Sequence, residues 1–122
     1  MTPPTREKLP RRRTGKTYSF TIAGDLEGYA IVGEYDDGRP GELFLTVAKQ
    51  GSTLNGILDV FGAAISFGLQ YGVPLEEYCT NFIGTKFENH GFSDDIELPN
   101  VESVIDYVFR RIAIDYLPGV TF

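Results

Sequence analysis

Tryptophan is absent from this 122-residue chain, and cysteine, histidine and methionine occur once each. A single thiol, Cys79, can build neither an internal disulfide nor a cysteine-ligated metal centre. A single histidine, His90, with no second cysteine leaves no nucleophile triad that spacing could single out. Metal binding by His90 with Asp94 and Asp95 is set aside, because such ligand types are common neighbours in a polar loop. No apolar run approaches the roughly 20 residues needed to cross a bilayer, and the N-terminus lacks the apolar segment of a secretion signal. The expectation is a reducing, cytoplasmic setting with no membrane partner, no metal and no cofactor. None of the glycine fingerprints that cradle nucleotide phosphates is spelled.

Charge is present but unevenly spread. Residues 1–16 hold six basic side chains (Arg6, Lys8, Arg11, Arg12, Arg13, Lys16) against Glu7, a net of +5, whereas residues 17–122 hold five basic and sixteen acidic ones, a net of −11. A body that acidic repels duplex nucleic acid, whose affinity comes largely from phosphate neutralisation. Residues 1–16, with Pro3, Pro4 and Pro10, are expected to form a flexible basic arm. Its alternative role is docking on the acidic body of a neighbouring subunit. With 42% apolar residues, 17–122 are expected to fold as a single α+β domain.

Three short segments carry strand patterns. Residues 17–23 alternate Tyr18, Phe20 and Ile22 with Thr17, Ser19 and Thr21, residues 27–35 repeat the theme around Ala30 and Val32, and residues 42–48 supply a third strand. The cluster Asp36, Asp37, Gly38, Arg39, Pro40, Gly41 reads as a reversal. An antiparallel sheet of three to four strands, packed with about three helices, is predicted.

Ser52 is a good N-cap for a helix over 54–71. Its clearly polar residues, Asn55, Asp59, Ser66 and Gln70, share one sector of roughly 60° with Gly62. The rest of the circumference is apolar, so the helix is expected to be buried on nearly all sides, with a second subunit covering what one chain cannot. Gly56, Gly62 and Gly68 are expected to admit close backbone approach. Gly72 then ends this helix, and Pro74 opens a second in which Glu76 and Glu77 complement the dipole and Cys79 packs in the core.

A last helix is predicted from about Val101 with Asn100 as its cap, its buried stripe running Val101, Val104, Ile105, Val108, Phe109, Ile112 and Tyr116. Asp115 falls inside that arc, where a carboxylate requires a partner, and Arg111 one turn earlier supplies it as a structural ion pair. Arg110 points to the charged face with Glu102, Ser103 and Asp106. Aromatic faces, an amide and a guanidinium fork are the groups that hold a nucleotide. Phe87, Asn89, His90 and Phe92 of the 86–95 loop, with Arg110 and Arg111, are the candidate ligand-binding set, and no catalytic residue is assigned.

Residues 34–78, EYDDGRPGELFLTVAKQGSTLNGILDVFGAAISFGLQYGVPLEEY, are worded unlike a generic amphipathic design. They resemble the C-terminal domain of adenosylcobalamin-dependent (class II) ribonucleotide reductases. The family's GYxxVGxYxDGxPGExFxxxAKxGST segment is matched by Gly28, Tyr29, Val32, Gly33, Tyr35, Asp37, Gly38, Pro40, Gly41, Glu42, Phe44, Ala48, Lys49, Gly51, Ser52 and Thr53. Its FxxTRFEPxGFT reads here Phe82, Thr85, Lys86, Phe87, Glu88, Asn89, His90, Gly91, Phe92 and Ser93, and its SIxDYxFRxL reads as residues 103–112. The resemblance covers residues 8–117.

It implies a domain and not the reductase barrel, whose radical cysteine, redox pair and cobalamin site need several hundred residues. The family's CxxC-rich tail has no counterpart in the closing LPGVTF. The leading expectation is a free-standing, non-enzymatic, homo-oligomeric protein that binds a small nucleotide. It is broadly similar to phage anti-Thoeris proteins that sequester cyclic nucleotide-type immune signals in the host cytoplasm. The alternative is an accessory subunit or split C-terminal fragment of a class II reductase, partnered with the reductase large chain.

Overall fold

The computed structural model describes residues 4–48, 51–87 and 90–122, without the Ser52 side chain. Pro3, Lys49, Glu88, Asn89 and the Ser52 hydroxyl, invoked above, therefore lie outside the described residues. The element order is β1 (Gly15–Ile22), β2 (Leu26–Glu34), β3 (Pro40–Val47), α1 (Ser52–Gln70), α2 (Leu75–Phe82), β4 (Gly91–Phe92), β5 (Asn100–Val101) and α3 (Val104–Tyr116). The first three strands form an antiparallel sheet in the order β1-β2-β3, and β4 pairs antiparallel with β5. This is the α+β class expected, with the second strand pair added.

Two compact units make up the chain: Met1–Tyr18 with Tyr29–Pro74, and Ser19–Gly28 with Leu75–Phe122. Both β1 and β2 contribute residues to each.

In the first unit Ala30, Val32, Tyr35, Leu43, Leu45, Val47, Leu58 and Ile65 are buried. The β2–β3 reversal closes with the Gly38 N–H donating to the Tyr35 carbonyl at 2.9 Å, and Gly38 holds φ +89°, which a side chain would strain. Helix α1 starts after extended Gly51 and ends in a Schellman motif. There Gly72 takes φ +97°, its N–H reaches the Leu69 carbonyl at 3.1 Å, and the Val73 N–H reaches the Gly68 carbonyl at 2.9 Å.

Described residues of the basic arm make contacts with the rest of the first unit. Arg13 forks onto the buried Glu42 carboxylate at 2.6 and 2.9 Å, and the Glu7 N–H donates to the Gln70 carbonyl at 2.8 Å. The Arg6 guanidinium meets Gln70 Oε1 at 2.6 Å, and β1 already begins at Gly15. A two-pronged guanidinium–carboxylate pair of this kind is among the stronger side-chain contacts and opposes the chain entropy that composition points to.

The second unit buries Phe20, Ile22 and Leu26 together with Leu75, Cys79, Leu98, Val101, Ile105, Tyr107, Val108, Phe109, Ile112 and Ala113. Ala23 and Gly24, at φ 55° and 78°, turn β1 into β2, as a two-residue turn matched to strand twist requires. The predicted start of the last helix moves three residues: Asn100 and Val101 belong to β5, and Ser103 caps α3, its Oγ accepting the Asp106 N–H at 3.0 Å. Ser103-x-x-Asp106 has the spelling of a capping box, but the Asp106 carboxylate reaches back to the Glu102 N–H rather than to that of Ser103, and Ser103 won over Asn100 because its hydroxyl also donates to the Thr85 carbonyl at 2.6 Å.

Candidate functional site

The nucleotide-binding set comes from the second unit, and its members do different work there. Arg111 is 8% exposed and sits among three carboxylates: Nη1 lies 2.9 Å from Glu97 Oε1 and 3.1 Å from Asp95 Oδ2, and Nη2 lies 3.4 Å from Asp115 Oδ1. Asp115, expected inside the apolar arc, is exposed, so its carboxylate reaches Arg111 from the solvent side. Tyr107 donates its hydroxyl to Asp95 Oδ2 at 2.9 Å.

Burial alone would raise the Asp95 carboxyl. The Tyr107 hydroxyl, the Glu97 N–H and the Arg111 guanidinium outweigh it and hold Asp95 below the ordinary carboxylate range. Burial, then the Asp95 hydrogen bond, pushes the Tyr107 phenol well above its ordinary value. Releasing Arg111 to a phosphate would strand this whole cluster.

Arg110 does not join it. Its Nη1 donates to the Asn100 carbonyl at 2.8 Å and lies 3.4 Å from Asp106 Oδ2. Asp106 was expected on a charged face with Ser103, yet both are buried. Asp106 Oδ1 accepts the Gly84 N–H at 2.7 Å and Oδ2 the Glu102 N–H at 2.9 Å, so the carboxylate satisfies backbone donors from two loops. Sequence reasoning missed this residue, although its place in the capping box was the available signal. Phe87, His90 and Phe92 are exposed, Phe92 at 77%. The structure thus buries Arg111 among acids and leaves the aromatic groups in solvent, while Asn89 is outside the described residues.

Cys79 is fully buried in α2, its Sγ 3.7 Å from the Phe109 carbonyl. Burial, assisted by the Glu76 charge, pushes its thiol up to about 11, so it is protonated and unreactive at neutral pH. A groove of about 390 Å³ is lined by Ile83, Leu98, Ala113, Ile114, Leu117 and the closing residues, with Arg110 at its lip. Among the described residues no group of three or more His, Cys, Asp or Glu side chains could hold a metal ion, and no helix is long and apolar enough to cross a membrane.

In the first unit α1, expected to be buried on nearly all sides, is buried on one side within the chain. The polar sector faces β3: Asn55 exchanges two hydrogen bonds with the Val47 backbone at 3.0 and 3.1 Å, Ser66 Oγ accepts the Leu43 N–H at 2.8 Å, and Gln70 Nε2 donates to the Gly41 carbonyl at 2.8 Å. A Cβ on Gly62 would come within 2.7 Å of the Leu43 carbonyl oxygen, so the close approach expected of this glycine is real, whereas Gly56 meets nothing. The helix therefore occupies the place of a fourth strand and satisfies the edge of β3. Leu58 and Ile65 pack inward beside that sector, while the rest of its apolar circumference points outward, with Ile57 61% and Val60 71% exposed beside Leu54, Phe67 and Tyr71. The sector is inward because β3 has backbone groups to satisfy and water has no such need.

The sequence profile of the TSCPD domain matches residues 2–116. The chain is 50% identical over 118 residues to a vitamin B12-dependent ribonucleotide reductase of Streptantibioticus cattleyicolor, covering 97% of this chain and 20% of that protein. It is likewise 50% identical over 118 residues to the enzyme of that name from Streptomyces coelicolor, covering 97% and 12%. The Rhodopirellula baltica enzyme is 48% identical over 116 residues, covering 95% and 11%. The chain spans a fifth or less of the length of these relatives. They favour the reductase-related expectation over the signal-sequestering one. No solved structure matches the chain significantly.

Proposed function

The chain belongs to the TSCPD domain family, and from that premise we propose that it serves as the TSCPD module of a vitamin B12-dependent ribonucleotide reductase, a non-catalytic domain that binds the catalytic polypeptide. The observation that carries this reading is the 50% identity, over nearly the whole chain, to one segment of such reductases. The side chains support binding over chemistry. The thiol is buried and protonated, and Arg111 is enclosed by three carboxylates. The second unit offers an apolar groove with Arg110 at its lip and, separately, the exposed Phe92 and Ile96. A large polypeptide would be held through apolar anchors and a rim charge of this type.

The test is co-expression of the affinity-tagged chain with the catalytic polypeptide of a B12-dependent reductase from which the TSCPD segment has been deleted. Co-elution and a raised rate of ribonucleotide reduction are expected, with co-elution weakened by Arg110→Glu. Failure of both, together with tight calorimetric binding of a cyclic dinucleotide, would overturn the reading in favour of signal sequestration.

A further inference from the structure

The outward face of α1 is too apolar for solvent and too regular for chance. Leu54, Ile57, Val60, Phe67 and Tyr71 expose roughly 500 Å² of it, at the upper end of the largest patch a monomer presents. The helix itself puts no charged side chain on this face: Asp59, its one charged residue, lies on the flank of the sector turned to β3, and the one cation over the face is Arg6 of the arm, stacked on Phe67. The β3 edge behind α1 is closed by Asn55, Ser66 and Gln70, so association here must use side chains of the helix rather than strand addition.

We propose that this face is the interface for a second copy of the chain, with the two α1 helices packed antiparallel across a two-fold axis. A two-fold interface must be self-complementary. On the helical lattice Val60 and Ala64 straddle the centre of the outward face. The half toward the C-terminus is bulky, with Phe67 and Tyr71, and the half toward the N-terminus is lean, with Gly56, Ile57 and Val60. Antiparallel pairing about that centre lays Phe67 over Ile57 of the second copy, Ala64 over its Val60, and Gly68 beside its Gly56. The largest side chain thus meets a smaller one and the two glycines let the helices approach closely, whereas parallel pairing would lay Phe67 on Phe67 of the second copy. Standard stable interfaces bury about 800 Å² per partner. The exposed apolar residues supply most of that, and Phe61, Ala63 and the Arg6 side chain stacked 4.9 Å above Phe67 extend it at the margins. The net charge of −6 opposes association at long range, but no like charges are brought together on the face itself.

Light scattering on the 122-residue chain across a wide concentration range is expected to give twice the 13.6 kDa chain mass, and a monomer mass throughout would overturn the proposal. Val60→Glu, at the most exposed large apolar residue of α1, is expected to weaken self-association by about tenfold or more while leaving the far-UV circular dichroism unchanged. A folded Val60→Glu that remained fully dimeric would place the interface elsewhere and sink the idea. Mixed oxidation of Val60→Cys with Ala64→Cys chains is expected to yield the hetero-crosslink preferentially, and preferential Val60→Cys self-crosslinking would refute the antiparallel arrangement. The reductase reading is tested separately. Val60→Glu should still co-elute with the catalytic polypeptide, whereas a monomeric wild type that lost co-elution on this substitution would assign the face to that polypeptide instead.

Discussion

The two long helices carry opposite solutions to the same pattern. In α3 the apolar stripe turns inward, and Ile105, Val108, Phe109 and Ile112 are buried, as a one-sided helix is expected to arrange itself. In α1 Asn55, Ser66 and Gln70 turn inward together with Leu58 and Ile65, and most of the remaining apolar surface faces solvent. The difference lies in what each helix packs against. A sheet edge presents unpaired N–H and C=O groups, and leaving one dry and unmet costs about 1–3 kcal/mol. Three such sites on β3 outweigh the preference of several aliphatic side chains for burial. Side-chain polarity therefore identifies the two faces of a helix, while the backbone of its neighbour decides which one is inside.

Removing the charge at the centre of the α3 cluster should have the largest effect. Arg111→Met leaves Asp95, Glu97 and Asp115 facing one another, and a loss of about 3 kcal/mol is expected in urea denaturation. Gly62→Val drives methyls into the Leu43 carbonyl and should cost about 2 kcal/mol by the same measurement, while Gly56→Val, pointing into open space, should cost far less. Ser66→Ala strips the Leu43 N–H of its acceptor and should cost about 1–2 kcal/mol.

Acid should distinguish the units further. The folded Asp95 carboxyl sits below its unfolded value of 3.8, so the stability it confers is fully present above that value and is lost as pH falls through the lower folded one. The stability gap between wild type and Asp95→Asn should hold at neutral pH and close below about pH 3 in acid titrations. At the small end, Val60→Glu should change the stability of the monomer by no more than about 0.5 kcal/mol. A large loss there would mean that the outward face is not outward.

Much of the fold was legible in the residues. Alternation located β1, β2 and β3 to within two residues, and Gly72 with Pro74 marked the break between α1 and α2. The orientation of α1 was not legible, because that side-chain pattern is the same whichever face is wet. The start of α3 was misread because Asn100 and Ser103 are both good caps, and only the Thr85 carbonyl and the Asp106 amide choose between them. The Arg13 contact was not legible either, because composition records charge but not the Glu42 carboxylate that receives Arg13. As for the candidate site, helical spacing places Arg111 one turn before Asp115, but Asp95 and Glu97 arrive from a loop whose path no periodicity encodes.

The Leu43 and Val47 amides belong to an edge strand, and edge amides ordinarily trade their hydrogens with solvent quickly. Here each donates to a side chain of α1, through Ser66 Oγ and Asn55 Oδ1. Their exchange with deuterated water is then governed by the lifting of an entire helix, so both should be among the slowest in the first unit, as though a fourth strand lay alongside.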